Sequence, residues 1–311
     1  MSERIPIEFV GSPSHLPKVG KGRVAVLDVA FASGPKFDLV TEPFIAQLGE
    51  RLALWCDHHE HALGWSRFRG DPRFLLVPNR EAHACPELVT PEVAQRAGRV
   101  DSLVIHGDFD GMLTAVKLLR AGEPPYPDAD EDARAVDSPG RGHALSERGS
   151  RIAFAVDEAV ASFTSGQRRD FMAAVVWSLV EGREPAELSA RIDRAAREAR
   201  ATQEGAVELA RSHGKPEAKG VYVIRLQGRR EGRARKGMLR WAEEHAAVGV
   251  VVETDGRNTW VTAATFDERI DLGGVELLDG GRSDYRYAEP RAEGVEPILK
   301  ALARAVAMVG P

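Results

Sequence analysis

Leu103-Val104-Ile105-His106-Gly107-Asp108-Phe109-Asp110-Gly111 joins a short apolar run to a cluster of one imidazole and two carboxylates. A run this short, apolar throughout and without alternation, reads as a strand buried on both faces. Met112 to Leu119 then has helical spacing and closes before Gly122-Glu123-Pro124-Pro125. Gly111 lets the chain turn sharply from the strand end into that helix. A helix beginning near Met112 points its N-terminus at whatever the cluster holds, which favours bound anions. Strand, polar cluster and helix in this order suit an open parallel sheet, where ligands bind beyond the strand carboxyl ends.

The same pattern occurs twice upstream. Val24-Ala25-Val26-Leu27 is a buried-strand run that ends at Asp28. Glu42 to Leu52 has helical spacing, and Ala53-Leu54-Trp55-Cys56 runs directly into Asp57-His58-His59-Glu60-His61. Pro91 to Ala97 predicts a short helix with Thr90 as its N-cap and Pro91 at its first position. Strands alternating with helices favour a parallel sheet covered by helices. A single polar strand end is usually a cap on a turn. Three of them, concentrating carboxylates and imidazoles, are costly to leave unpaired, and a divalent metal is the simplest way to satisfy them. Carboxylates suit manganese and magnesium, and imidazole extends the set toward iron, cobalt and zinc.

Glu123 to Arg148 is rich in Pro, Gly, Asp and Arg and reads as a long irregular loop. Helical patterns resume near Ile152. From Pro185 to Leu209 the spacing of Leu188, Ile192, Ala195, Ala199 and Ala206 predicts one amphipathic helix, which Ser212-His213-Gly214-Lys215-Pro216 breaks. A second α/β pattern follows: strand Val221 to Leu226, a helix around Met238 to His245, strands Val248 to Glu253 and Thr259 to Thr265, and a last amphipathic helix from Pro297 to Val309. The expected architecture is therefore α/β: a parallel-sheet catalytic domain over residues 1–165, a helical connector over 166–215 and a smaller C-terminal α/β domain over 216–311, with the active cleft between the domains.

Composition narrows the function classes. The 311 residues carry a formal net charge of -5, so there is no global attraction to nucleic acid or anionic membrane, and a polyanion site must be a local basic patch or a metal centre. Two cysteines, Cys56 and Cys85, exclude a disulfide scaffold and a four-cysteine zinc site. The start of the chain lacks a secretory signal pattern, and Phe171 to Val180, among the longest apolar stretches, is too short to span a bilayer. A soluble cytoplasmic protein without membrane partners is the expectation, and a homodimer is left open. No Ser-His or Cys-His nucleophile constellation is visible, and the two cysteines read as small core or near-site residues.

These motifs resemble the DHH phosphoesterases. Asp57-His58-His59 matches the triplet that names that family, His106 to Gly111 resembles its HxDxDG signature, and Asp28 resembles its lone motif aspartate. His83-Ala84-Cys85-Pro86-Glu87-Leu88 is similar to the segment that follows the triplet in many members. Leu278-Asp279-Gly280-Gly281-Arg282-Ser283-Asp284 resembles a degenerate form of the glycine-rich GGGH signature of the DHH-associated C-terminal domain. Two departures stand out. In the family HxDxDG comes first, then the lone aspartate, then DHH; here HxDxDG comes last, as a circular permutation would produce. In the glycine-rich segment the histidine position is not filled, and Arg282, Asp284, Tyr285 and Arg286 stand there instead.

The resemblance implies specific roles. His106, Asp108, Asp110, Asp28 and His58 would hold two manganese ions, with magnesium or cobalt as alternatives, and Asp28 would bridge them. His59 would contact the substrate phosphate, and Asp57 would orient the triplet. The family uses one further aspartate, for which Asp137 is the candidate and Asp157 the alternate. Gly280, Gly281, Arg282 and Tyr285 would bind substrate. The implied reaction is hydrolysis of a phosphodiester or phosphoanhydride by a two-metal-activated water, with a short oligonucleotide or dinucleotide as leading substrate. A basic stretch, Arg225, Arg229, Arg230, Arg233, Arg235, Lys236 and Arg240, is either a solvated loop or a phosphate-tracking surface. The rivals are a hydrolase of a non-nucleic phosphate compound such as polyphosphate, and an inert nucleotide-binding regulatory module on the same fold.

Overall fold

In the computed structural model, which describes residues 4–61, 64–138, 142–267, 269–278, 280–282, 285–289 and 294–310, the chain forms two compact units, Met1–Arg197 and Glu198–Pro311. The first is built on five strands: β1 (Ile7–Val10), β2 (Val24–Leu27), β3 (Leu52–Asp57), β4 (Phe74–Leu76) and β5 (Ser102–His106). All pair in parallel, in the order β1-β5-β2-β3-β4. The three runs read as buried strands are the three adjacent central ones, and every residue of β2 and β3 is buried. The two strands without a sequence signature, β1 and β4, are the edges.

Helices cover both faces. On one side α1 (Glu42–Leu48) supplies Phe44, Ile45 and Leu48 to a core that contains Val24, Val26, Trp55 and Val104. The short helix α2 (Gly64–Arg67) follows the DHH triplet. On the other side α3 (Pro91–Ala97), α4 (Phe109–Leu119), α5 (Ala129–Asp137), α6 (Glu147–Ser162) and α7 (Ser165–Glu181) share a core with Ala25, Leu27, Leu54, Leu103 and Ile105. Thr90 caps α3 as expected, its hydroxyl accepting from the Val93 N–H.

The structure differs from the sequence-based expectation at two places. Helix α4 begins at Phe109, with Asp108 as its N-cap accepting from the Gly111 N–H at 3.0 Å, so Asp110 and Gly111 lie inside its first turn. The stretch 123–148 is not irregular throughout, because α5 lies within it. The buried face of α5 is Ala129, Asp132, Ala133 and Ala135. Small residues carried that packing, so no large apolar periodicity announced it.

Helix α8 (Ala186–His213) gives Leu188, Ile192 and Ala195 to the first unit's core and Ala206 and Ala210 to a core of the second. The second unit is a six-stranded mixed sheet in the order β10-β11-β9-β8-β7-β6. Its strands are β6 (Gly214–Ala218), β7 (Val221–Gln227), β8 (Val248–Asp255), β9 (Asn258–Ala264), β10 (Gly280–Arg282) and β11 (Tyr285–Ala288). Helix α9 (Gly232–Glu243) packs on one face through Met238, Leu239 and Ala242, and α10 (Glu296–Val309) on the other through Ile298, Leu299 and Leu302. The protein is thus α/β, with a parallel sheet in one unit and a mixed sheet in the other. No described helix is long and apolar enough to cross a membrane.

Candidate metal centre

Because β5, β2 and β3 are neighbours in the sheet, their C-terminal ends bring the three polar clusters together whatever their order in the chain. Asp28 follows the central strand, with the DHH triplet on one side and His106 on the other. It adopts φ 58°, a left-handed conformation that Asp tolerates better than most residues. Its N–H donates to the Cys56 carbonyl at 2.7 Å, so the turn is anchored to the neighbouring strand. The carboxylate is 1% exposed, and neither oxygen has a hydrogen-bond partner.

Each oxygen of Asp28 faces a different imidazole. Oδ1 lies 3.4 Å from His58 Nε2 and 3.6 Å from His59 Nδ1; Oδ2 lies 3.5 Å from His106 Nδ1. His58 Nε2 also lies 3.4 Å from Asp110 Oδ2 and 3.5 Å from Asp137 Oδ2, and His106 Nδ1 lies 2.7 Å from Asp108 Oδ2. The donors fall into three overlapping groups, Asp28/His58/His59, Asp28/His106/Asp108 and His58/Asp110/Asp137, whose atoms within each group lie no more than 4.8 Å apart. Asp157 belongs to none of them and is exposed on α6. His61 is engaged elsewhere: its Nε2 contacts the Ala32 carbonyl, its Nδ1 accepts from the Gly64 N–H, and its ring stacks on Phe37.

These donors fit divalent ions. Two ligands each about 2.1 Å from one ion stand roughly 3.0 Å apart at a right angle and roughly 3.4 Å apart at a tetrahedral angle. The recurring separation of 3.4 to 3.5 Å is long for a hydrogen bond and close to that spacing. The buried atoms without hydrogen-bond partners include Asp28 Oδ1 and Oδ2, His58 Nε2 and Asp110 Oδ1. Orphaned buried donors and acceptors are rare in proteins, and here they converge.

The surroundings hold these groups in place. His58 Nδ1 donates to the Ala82 carbonyl at 2.9 Å, which leaves Nε2 facing inward as the atom that would bind an ion once deprotonated. The Cys85 N–H donates to Asp110 Oδ2 at 3.1 Å. Asp57 is fully buried and contacts His59 Nδ1 at 2.9 Å and the His59 N–H at 3.2 Å. The Ala82 and Cys85 contacts were illegible in the sequence because they use backbone groups. Cys56 and Cys85 are buried thiols whose sulfurs lie 3.8 Å apart beneath the site. Burial and the neighbouring thiol hold Cys85 well above the usual thiol range.

Gly111 is fixed by crowding rather than by a turn. A Cβ there would stand 2.6 Å from the His106 carbonyl and 3.2 Å from Asp28 Oδ2. Gly111→Ala is expected to destabilise the fold by about 1–3 kcal/mol, since overpacking against backbone has no cheap relief. A thermal melt superimposable on wild type would contradict that.

Charge in the cluster couples metal to protons. Burial alone would lower His58, but Asp28 and Asp110 outweigh it and raise it to about 11. Burial would likewise lower His106, but Asp108 and Asp28 raise it to about 11. Burial pushes Asp28 up, and the imidazoles of His106 and His58 hold it well below the usual carboxylate range. Burial raises Asp137 to about 6, His58 opposing and Asp28 reinforcing the shift, and burial with the Asp28 charge holds Asp110 well above its ordinary value. Without an ion both imidazoles are therefore cationic at pH 7, whereas a metal takes only the neutral ring. Metal uptake is expected to release at least one proton and to tighten from pH 6 to pH 8. Titration calorimetry in buffers of different ionisation enthalpy checks this; identical heats and a flat affinity over that range would count against it.

A pGpG-specific phosphodiesterase, PggH from Vibrio cholerae, is similar to this chain with a TM-score of 0.55 and 14% identity, over 93% of this chain and 100% of the other. The chain has the fold of the DHH phosphoesterases. More distantly similar are exonuclease RecJ bound to manganese (TM-score 0.43, 13% identity, 93% of this chain and 76% of the other) and an exopolyphosphatase-related protein from Bacteroides fragilis (TM-score 0.42, 12% identity, 92% and 71%). No protein-family model matches the sequence, and no curated protein matches it.

In the second unit of this DHH fold, Gly280, Gly281 and Arg282 form β10, whose antiparallel partners on β11 are Tyr287, Arg286 and Tyr285. Asp279, Ser283 and Asp284 lie outside the described residues. Gly280 has a packing reason of its own, because the Tyr287 ring occupies the space a Cβ would need. The basic stretch is largely paired within the unit. Arg225 bonds Glu217 through two nitrogens at 2.6 and 2.8 Å, Arg235 pairs with buried Glu253 at 2.7 Å, and Arg229 lies over the Trp260 ring.

Proposed function

We propose that this protein is a metal-dependent phosphoesterase that hydrolyses a phosphodiester or phosphoanhydride. The observation that carries the reading is Asp28: a buried carboxylate, without hydrogen bonds, whose two oxygens face two separate sets of imidazole and carboxylate donors. His106, Asp108 and Asp28 would hold one ion, and His58, Asp110, Asp137 and Asp28 the second. Two divalent ions there, manganese first and magnesium or cobalt as substitutes, would supply an activated water and neutralise the phosphoryl oxygens.

The chain's own residues bind and orient. His59 is 27% exposed, the most accessible member of the triplet. Burial lowers its proton affinity, but Asp57 more than restores it, so the ring is raised above its ordinary value. With Nδ1–H donated to Asp57, its Nε2–H remains to donate to a phosphate oxygen. The N-terminus of α4 adds a favourable dipole for that anion. Buried Asp57 fixes the direction of the His59 ring.

A short oligonucleotide or dinucleotide is the leading substrate reading, and Gly280, Gly281, Arg282 and Tyr285 are the candidate substrate-binding residues of the second unit. Arg282 offers a planar fork suited to phosphate. A non-nucleic phosphate compound such as polyphosphate is the second reading, favoured by the unfilled histidine position in the glycine-rich segment. Metal-loaded protein assayed with manganese against dinucleotides, short oligonucleotides, polyphosphate and a generic phosphodiester chooses between them. Metal binding with no turnover on any would favour an inert nucleotide-binding module and overturn the proposal.

A further inference from the structure

We infer that Glu87, Arg134, Glu131, His143 and His83 form a positioning ring that sets the affinity of one metal site, His58/Asp110/Asp137, and not of the other. The inference rests on the two-metal reading above. Glu87 accepts the Ala84 N–H at 2.8 Å through Oε1 and binds Arg134 at 2.7 and 3.0 Å through Oε2. Arg134 Nη1 reaches Glu131 at 3.3 Å, and Glu131 accepts from His143 Nδ1 at 3.1 Å. His143 Nε2 meets His83 Nδ1 at 2.9 Å, and His83 is covalently joined to Ala84, which closes the ring.

The ring ties two pieces of backbone together. One is the segment 82–87, which holds His58 through the Ala82 carbonyl and Asp110 through the Cys85 N–H. The other is α5, whose last residue is Asp137. Ser138, the next residue, adds a direct tie by donating its hydroxyl to the His83 carbonyl at 2.7 Å. All three donors of the His58/Asp110/Asp137 group thus depend on the spacing between these two pieces. Of the other group, His106 ends β5, Asp108 follows it, and Asp28 follows β2; among the described contacts none of them bonds to the ring. Among the described contacts the ring residues bond to one another and to backbone, so their effect passes through the backbone they hold.

The test separates the two sites by removing one at a time. In an Asp108→Asn background, where His58/Asp110/Asp137 is the remaining complete group, Arg134→Met is expected to weaken manganese binding about 10- to 100-fold, the usual cost of removing an outer partner of metal ligands. In an Asp137→Asn background the same substitution should change it less than 2-fold, and Arg134→Lys should recover part of the loss in the first background. Glu87→Gln keeps an oxygen for the Ala84 N–H while removing the ion pair, and should act in the same direction as Arg134→Met. Manganese binding is read by electron paramagnetic resonance of the free ion, independently of turnover. Equal losses in both backgrounds, or none in the first, overturn the ring inference alone. A wild-type protein that binds no manganese overturns the metal reading and this inference with it.

Discussion

Asp28→Asn is expected to abolish the dimetal centre and to lower hydrolysis at least 1000-fold, about 4 kcal/mol of transition-state stabilisation. The substitution keeps the shape of the side chain, and Asn tolerates the left-handed backbone at φ 58°, so the fold should persist. What it removes is the anionic oxygen pair facing both donor sets. An amide has one oxygen to offer and no charge, so it cannot serve two cations at once. Asp108→Asn is the control, because Asp108 belongs to a single donor group and its loss should spare the other ion. Metal content and turnover measured together decide the matter. An Asp28→Asn protein that retains both ions would remove the bridge from the account.

His59→Ala should behave in the opposite way with respect to metal. It is expected to retain most of its manganese and to lose turnover by about 100- to 1000-fold, the usual cost of deleting one donor to a developing phosphoryl charge. The geometry gives the reason. His59 Nδ1 is already engaged by Asp57 at 2.9 Å, whereas His58 Nε2 stands among three carboxylates and has no hydrogen bond. Asp57→Asn should reproduce part of the loss, since it leaves the ring present and weakens its orientation and charge. Metal and activity falling in proportion in His59→Ala would make His59 a ligand, the role that the Asp28/His58/His59 grouping also allows.

The central strands were legible because burial on both faces leaves only apolar residues. Val24–Leu27 and Ala53–Cys56 have no solvent face to encode, and Asp28, Asp57 and His106 mark where each run stops. The edges β1 and β4 are short and partly exposed, and carry no such signature. Helix α5 was hidden because alanines do its packing, and with it went the structural reason for Asp137, which was named from a family pattern alone. The donor set was readable as residue types, but its pairing was not. That Asp28 lies between the other two clusters follows from the strand order β5-β2-β3, which no linear spacing reveals. The backbone groups of Ala82 and Cys85 had no side-chain signal at all. In the second unit, Gly280, which the resemblance makes a substrate-binding residue, also has the Tyr287 ring against it, so a glycine can satisfy packing and resemble a motif together.

Anomalous diffraction at the manganese edge, from crystals soaked in manganese, locates the ions. Two peaks about 3.5–4 Å apart are expected, one beside His106 and Asp108, the other beside His58, Asp110 and Asp137, with the Asp28 carboxylate between them. A single peak at full occupancy, or ions bound away from Asp28, would contradict the two-metal reading.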